Sequence, residues 1–149
     1  MRGHRVWGVT RAPLILSLVL AAPLLVAASD DERGQFARCS GSERVTCVVD
    51  GDTIWFEGRK IRLADINTPE TSRPACRREA ELGERATRRL TALLNQGPFT
   101  LRREGKRDKD YFGRALRVVE RDGHSLGTVL VDEGLAETWR GRRGNWCAA

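Results

Sequence analysis

Between residues 45 and 121 the periodicity of the chain changes twice, and that succession limits the folds open to it more than any single residue does. Val45 to Val49 is short and β-branched, and Asp50-Gly51-Asp52 follows as a turn signal. Thr53-Ile54-Trp55-Phe56 reads as a second strand and Glu57-Gly58-Arg59 turns the chain back. Lys60-Ile61-Arg62-Leu63-Ala64 then alternates in polarity as a half-buried third strand does. Thr68-Pro69 breaks the meander, and Pro74 keeps the next residues out of a helix. From about Ala75 to Asn95 apolar positions return at helical spacing. Ala80, Gly83, Ala86, Leu90, Leu93 and Leu94 mark one stripe, and Arg85, Arg88 and Arg89 are expected to pair with Glu81 and Glu84 outside it. Gly97-Pro98 ends that helix. Phe99 to Glu104 and Arg114 to Arg121 predict two further strands around a charged loop, Gly105 to Asp110. After the Asp122-Gly123 turn, Ser125 to Glu133 predicts a short helix with Leu126, Val129 and Leu130 inward.

A mainly β chain of five strands, with one longer helix between strands 3 and 4 and a short helix after strand 5, has the element order of a five-stranded OB-fold barrel. The barrel is expected to occupy residues 44–149, including an Arg- and Gly-rich tail from Leu135 that carries Trp139 and Trp146. Such barrels often bind oligonucleotides, but a fold alone does not fix a function.

The N-terminus reads differently. Arg2, Arg5 and Arg11 precede an apolar run from Ala12 to Ala28, which ends in Val26-Ala27-Ala28 and turns polar at Ser29-Asp30-Asp31-Glu32. Basic, apolar and small-residue segments in that order predict an export signal over 1–28, cleaved after Ala28. The alternative is a retained membrane anchor, which the brevity of the run and its two prolines disfavour. A polar leader over 29–43 is expected to follow, mobile at Asp30 to Gly34. The expected location is therefore outside the cytoplasm, secreted or in the periplasm and cell envelope. Loss of the three signal arginines lowers the formal charge from +6 to +3, a balance suited to a polyanionic partner. A stable protein partner is not expected, and the chain is expected to be a monomer.

Cys39, Cys47, Cys76 and Cys147 all lie beyond the signal, and an even number in a small exported chain predicts two disulfides. Three pairings are possible. Proximity in the chain favours Cys39–Cys47, leaving Cys76–Cys147 to tie the tail to the middle of the domain.

Two segments concentrate the chemistry. The first runs Val49-Asp50-Gly51-Asp52-Thr53-Ile54 and continues with Ile61-Arg62-Leu63-Ala64-Asp65-Ile66-Asn67-Thr68-Pro69-Glu70. The second is Asp110-Tyr111-Phe112-Gly113-Arg114. Asp52, Asn67 and the backbone at Thr68 offer hard oxygen donors at strand ends, which suit Ca²⁺; the absence of nearby His or Cys argues against zinc. Arg62 and Arg114 come from different strands and could grip one phosphate, while Glu70 supplies a carboxylate able to orient or deprotonate a water. Together these groups suit phosphodiester hydrolysis, whose transition state needs fixed positive charge. Asp50-Gly51-Asp52 alone would be an ordinary turn.

Those segments resemble the staphylococcal-nuclease-like, or thermonuclease, family. The D-G-D-T-I, I-R-L-A-x-I-x-T-P-E and D-x-F-G-R elements occur in the family's order, and Leu130-Val131-Asp132-Glu133-Gly134-Leu135-Ala136 matches its L-V-x-x-G-L-A helix end. The resemblance covers roughly Val45 to Trp139. It implies an OB-fold nuclease that uses Ca²⁺ to cleave DNA and RNA. Asp52 and the Thr68 carbonyl would be metal ligands, Arg62 and Arg114 would hold the scissile phosphate, and Glu70 would be the general base or water-orienting group. Lys106, Lys109 and Phe112 are further candidates for substrate contact.

Three departures from the family pattern stand out. Asn67 occupies the place of a second aspartate ligand, which predicts weaker calcium binding unless Asp65 restores the charge. Phe112 replaces a common tyrosine. The chain also ends soon after Ala136, so Trp146 and the Cys147 disulfide would cover surface that a longer helix buries elsewhere. A catalytically inactive OB module that binds nucleic acid or protein is the competing reading, and Asn67 is its main support.

Overall fold

The computed structural model describes Gly3 and residues 31–148. Apart from Gly3, the segment expected to be an export signal, and the start of the leader at Ser29 and Asp30, lie outside the described residues. Among those described, no helix is long and apolar enough to cross a membrane.

Strands β1 (Cys47–Asp50), β2 (Thr53–Phe56) and β3 (Arg59–Leu63) form an antiparallel meander, with Ile54 opposite both Val48 and Ile61. Strand β4 (Ile66–Asn67) follows, then helix α1 (Arg77–Asn95), β5 (Thr100–Arg103) and β6 (Ala115–Arg121). The chain continues through β7 (His124–Ser125), α2 (Leu126–Asp132) and β8 (Glu137–Thr138). Strand β6 lies parallel to β3, with Ile61 beside Ala115, and antiparallel to β5, with Leu101 beside Val119. Strands β4 and β8 pair separately, Asn67 opposite Glu137.

The five expected strands and both helices are present, each within a few residues of its expected limits. The sheet, however, is not closed into a barrel. Its order is β1-β2-β3-β6-β5, and β1 and β5 are not hydrogen-bonded to each other. The segment expected to be a polar leader reaches both outer strands instead. Glu32 and Phe99 exchange backbone hydrogen bonds at 2.6 and 3.0 Å, the Val48 N–H donates to Ala37, and the Cys39 N–H donates to Val48. Burial supplies the reason. Phe36 inserts beside Phe56 and Phe99, with each pair of ring centroids between 5.5 and 5.9 Å apart. The Asn95 side chain then holds both backbone polar groups of Phe36.

Helix α1 buries Gly83, Ala86, Leu90, Leu93 and Leu94 against the sheet, as its apolar stripe predicts, together with Glu79 and Thr87. Its outer charges pair differently from expectation. Glu81 pairs with Arg77, Glu84 with Arg38 from the segment before β1, and Arg89 with Glu133 at the end of α2. Disulfides join Cys39 to Cys47 and Cys76 to Cys147, the pairing favoured from chain proximity.

Candidate functional site

Asp52 sits at the β1–β2 turn, where Gly51 lets the chain pass close to α1 and to the β4 end. A Cβ on Gly51 would stand 2.7 Å from the Ala86 Cβ and 2.9 Å from the Thr68 side chain. Buried there, Asp52 accepts hydrogen bonds from the Thr68 N–H at 3.1 Å and the Thr53 hydroxyl at 3.0 Å. Arg62 reaches it from β3 at 3.3 Å and donates through Nη1 to the carbonyls of Leu63 and Ile66, and its side chain is 11% exposed. Arg114, just before β6, is held by Asp110 at 2.6 Å and donates to the Thr53 hydroxyl at 3.4 Å. Thr53 therefore joins the two arginines' surroundings through one hydroxyl.

Glu70 borders the same space. Its backbone is set by α1: the Glu70 N–H donates to Glu79 at 3.3 Å, and the second oxygen of that buried carboxylate takes the Ala75 N–H at 2.6 Å. Gly83 permits the close packing, since a Cβ there would meet the Pro69 carbonyl at 2.7 Å. The Glu70 side chain is paired with Arg143, which comes from the C-terminal tail. Asp50, Asp52, Arg62, Thr68, Glu70, Arg114 and Arg143 thus line one narrow cleft of about 80 Å³.

Burial and the adjacent Asp52 carboxylate push Asp50 up from an ordinary carboxylate value of 3.8 to about 7. For Asp110 burial also acts upward, but hydrogen bonds and charge from Arg114 outweigh it and hold the group below the usual range. Asp50, Asp52, Thr68 and Glu70 on the cleft lining offer oxygen donors only, and a cation would offset the charge crowded at the two adjacent aspartates. The residues therefore fit a hard divalent ion. Among the described residues no three His, Cys, Asp or Glu side chains cluster as a ready-made cage, so backbone oxygen and water would have to complete the coordination. Asn67 is not in the cleft lining: it is buried beside it, its amide donating to Glu137 at 2.8 Å. Asp65 is not in the cleft lining either; its carboxylate accepts from the Ser125 hydroxyl at the start of α2.

A second, wider hollow of about 330 Å³ shares Arg62, Arg114 and Arg143 with the cleft and adds Tyr111, Phe112 and Trp139. Phe112 is 78% exposed and Trp139 40% exposed, and the Arg62 guanidinium lies 5.7 Å from the Trp139 ring centre. Lys109 borders a neighbouring depression with Trp55, Phe112 and Arg114. Lys106 lines none of these hollows. In the preceding strip, Arg102 is occupied by Glu104 and Glu120, and Arg103 by Asp108.

Sequence reading missed Asp50, Thr53, Glu79 and Arg143 as site residues. The first two belong to a motif that was read, and their neighbours in the chain were the available signal. Glu79 lies nine residues beyond the nearest motif, in the first turn of α1, and Arg143 is one of several tail arginines, so nothing local marked either.

The family model of staphylococcal nuclease homologues matches residues 60–146. Over 93 residues the chain is 38% identical to Endonuclease YncB of Bacillus subtilis (strain 168), covering 59% of this chain and 43% of that protein. It is 39% identical over 93 residues to the SPbeta prophage-derived endonuclease YokF of the same organism, covering 59% of this chain and 31% of that protein. The chain thus spans less than half the length of these relatives. Arg62, Glu70 and Arg114 all fall within the family match, and the chain belongs to the family of staphylococcal nuclease homologues.

Proposed function

We propose that the protein is an exported, Ca²⁺-dependent nuclease that hydrolyses phosphodiester bonds of DNA, RNA or both. The observation that carries this reading is the convergence of Arg62 and Arg114 on Asp52 and Thr53, with Glu70 bordering the same narrow cleft. A phosphodiester bound there meets two guanidiniums already held in place by Asp52 and Asp110, so little reorganisation remains when charge builds on phosphorus. Glu70 takes a proton from the attacking water as the new P–O bond forms. The bond to one ester oxygen breaks, and that oxygen leaves with a proton from solvent. Asp52 and the Thr68 carbonyl would hold the calcium ion with Asp50 alongside, and the ion would supply further fixed positive charge against the phosphate. Phe112 and Trp139 offer exposed rings beside the cleft on which a base could stack. Export rests on the signal-like segment 1–28, and the two disulfides suit an oxidising compartment.

Arg114→Ala and Glu70→Ala test the assignment. Each should lower kcat on single-stranded DNA by at least about 100-fold while leaving the circular dichroism spectrum unchanged. Wild-type turnover in the double variant would sink it. The competing binding module draws on Asn67, whose amide is committed to Glu137. Substrate fate separates the two, since a binding module retards intact DNA on a gel and a nuclease shortens it.

A further inference from the structure

Arg62 and Arg114 are fixed before any substrate arrives, the first by two carbonyls and Asp52, the second by Asp110 and Thr53. Arg143 is different. Its side chain is 63% exposed and rests on the Glu70 carboxylate. It borders the narrow cleft, the hollow that contains Trp139, and a third depression lined by Arg140 and Arg142. The tail that carries it has no regular secondary structure after Thr138. What holds it is the Cys76–Cys147 disulfide, four residues beyond Arg143, and the Gly144 N–H donated to Glu137 at 2.6 Å. Cys76 in turn is the N-cap of α1, the helix whose Glu79 sets the backbone of Glu70.

An anionic phosphodiester entering the cleft would face the Glu70 carboxylate directly, an unfavourable approach of like charges. A guanidinium already seated on that carboxylate removes the difficulty, because it can exchange one oxyanion for another at short range. We propose that Arg143 is a third catalytic arginine: when substrate binds, its guanidinium passes from Glu70 to the phosphate, freeing Glu70 to accept the proton of water. The Cys76–Cys147 disulfide keeps the arginine within reach, so the active site is complete only in the oxidised protein. This inference rests on the nuclease reading and adds to it a residue and a redox requirement.

The test is steady-state cleavage of a short single-stranded oligonucleotide, with Ca²⁺, by the oxidised protein and its variants. Arg143→Ala should lower kcat by about 30-fold with a smaller change in KM, because the transition state carries more negative charge than the bound substrate. Arg143→Lys should recover only part of the loss, since an ammonium cannot give the paired donors of a guanidinium. Arg88→Ala, which removes one charge from the exposed face of α1, should stay within about twofold of wild type. Cys147→Ser should lower kcat about as far as Arg143→Ala, and combining the two should add little further loss. Equal or higher kcat in Arg143→Ala would overturn the proposal, the higher value marking Arg143 as a mask over Glu70. Full activity in Cys147→Ser would overturn the role given to the disulfide. An Arg143→Ala protein that melts well below wild type would be replaced by Arg143→Gln, which must show the same loss in kcat. Intact oligonucleotide with the wild type would contradict the nuclease reading itself, and this inference with it.

Discussion

Thr53 donates its hydroxyl to Asp52 and accepts from Arg114, so one β-branched side chain couples the acidic and basic sides of the cleft. Its neighbour Asp50 is the other residue on which the cleft's electrostatics turn. Its raised value means that the folded, metal-free protein keeps a proton that the unfolded chain releases above pH 3.8. Stability is therefore lost as pH rises from about 4 to about 7 and stays lost above that range. In chelator at pH 8, Asp50→Asn should melt several degrees above wild type, with the gap closing toward pH 4; equal melting at pH 8 would show that Asp50 ionises without penalty. Asn67 makes a second residue-scale test. Because its amide donates to Glu137, Asn67→Asp would set two carboxylates together in a buried place. The variant should lose on the order of 1–3 kcal/mol of stability at neutral pH in urea unfolding, without tighter calcium binding. A tenfold gain in calcium affinity by calorimetric titration would instead identify position 67 as a ligand site.

The elements that the sequence made legible are those with a sustained period. Strands β1, β2, β3, β5 and β6 carry alternation or β-branched runs between turn residues, and α1 carries an apolar stripe about four turns long. The two-residue strands β4, β7 and β8 are too short to have a period. The segment ahead of β1 was missed for a related reason. Its one large apolar residue, Phe36, stands among polar neighbours, and nothing local shows that Phe56 and Phe99 will meet it across the gap between β1 and β5. The site divided in the same way. Asp52, Arg62, Thr68, Glu70 and Arg114 belong to contiguous motifs and converge in space, whereas Glu79 and Arg143 act over distances that only the fold brings together. Phe36→Ala should therefore destabilise the protein by about 3–4 kcal/mol in denaturant unfolding. A loss below about 1 kcal/mol would mean that the segment decorates the sheet rather than completing its core.

At the scale of the whole molecule, an open sheet is kept compact by covalent and aromatic bridges at its margins. Cys39–Cys47 anchors the segment that spans β1 and β5, and Cys76–Cys147 closes a separation of 71 residues between the start of α1 and the tail. By chain entropy the longer link contributes about 4 kcal/mol, so Cys147→Ser should melt clearly below the oxidised wild type. An unchanged melting temperature would show that the tail's other contacts suffice. The described surface also explains why charge counting alone said little about a partner. Arg102, Arg103, Arg117 and Arg89 are paired with carboxylates away from the cleft, while Arg62, Arg114 and Arg143, each with its own acidic partner, border one small volume.

The central claim is that this volume cleaves phosphodiesters with the help of calcium. Digestion of single- and double-stranded DNA by the oxidised protein, with Ca²⁺ or with chelator, tests it most directly when Glu70→Ala is run alongside to exclude a contaminating nuclease. The account predicts shortened DNA with Ca²⁺, intact DNA in chelator, and intact DNA with Glu70→Ala under both conditions. Intact DNA with folded, disulfide-bonded wild type at millimolar Ca²⁺ would contradict it.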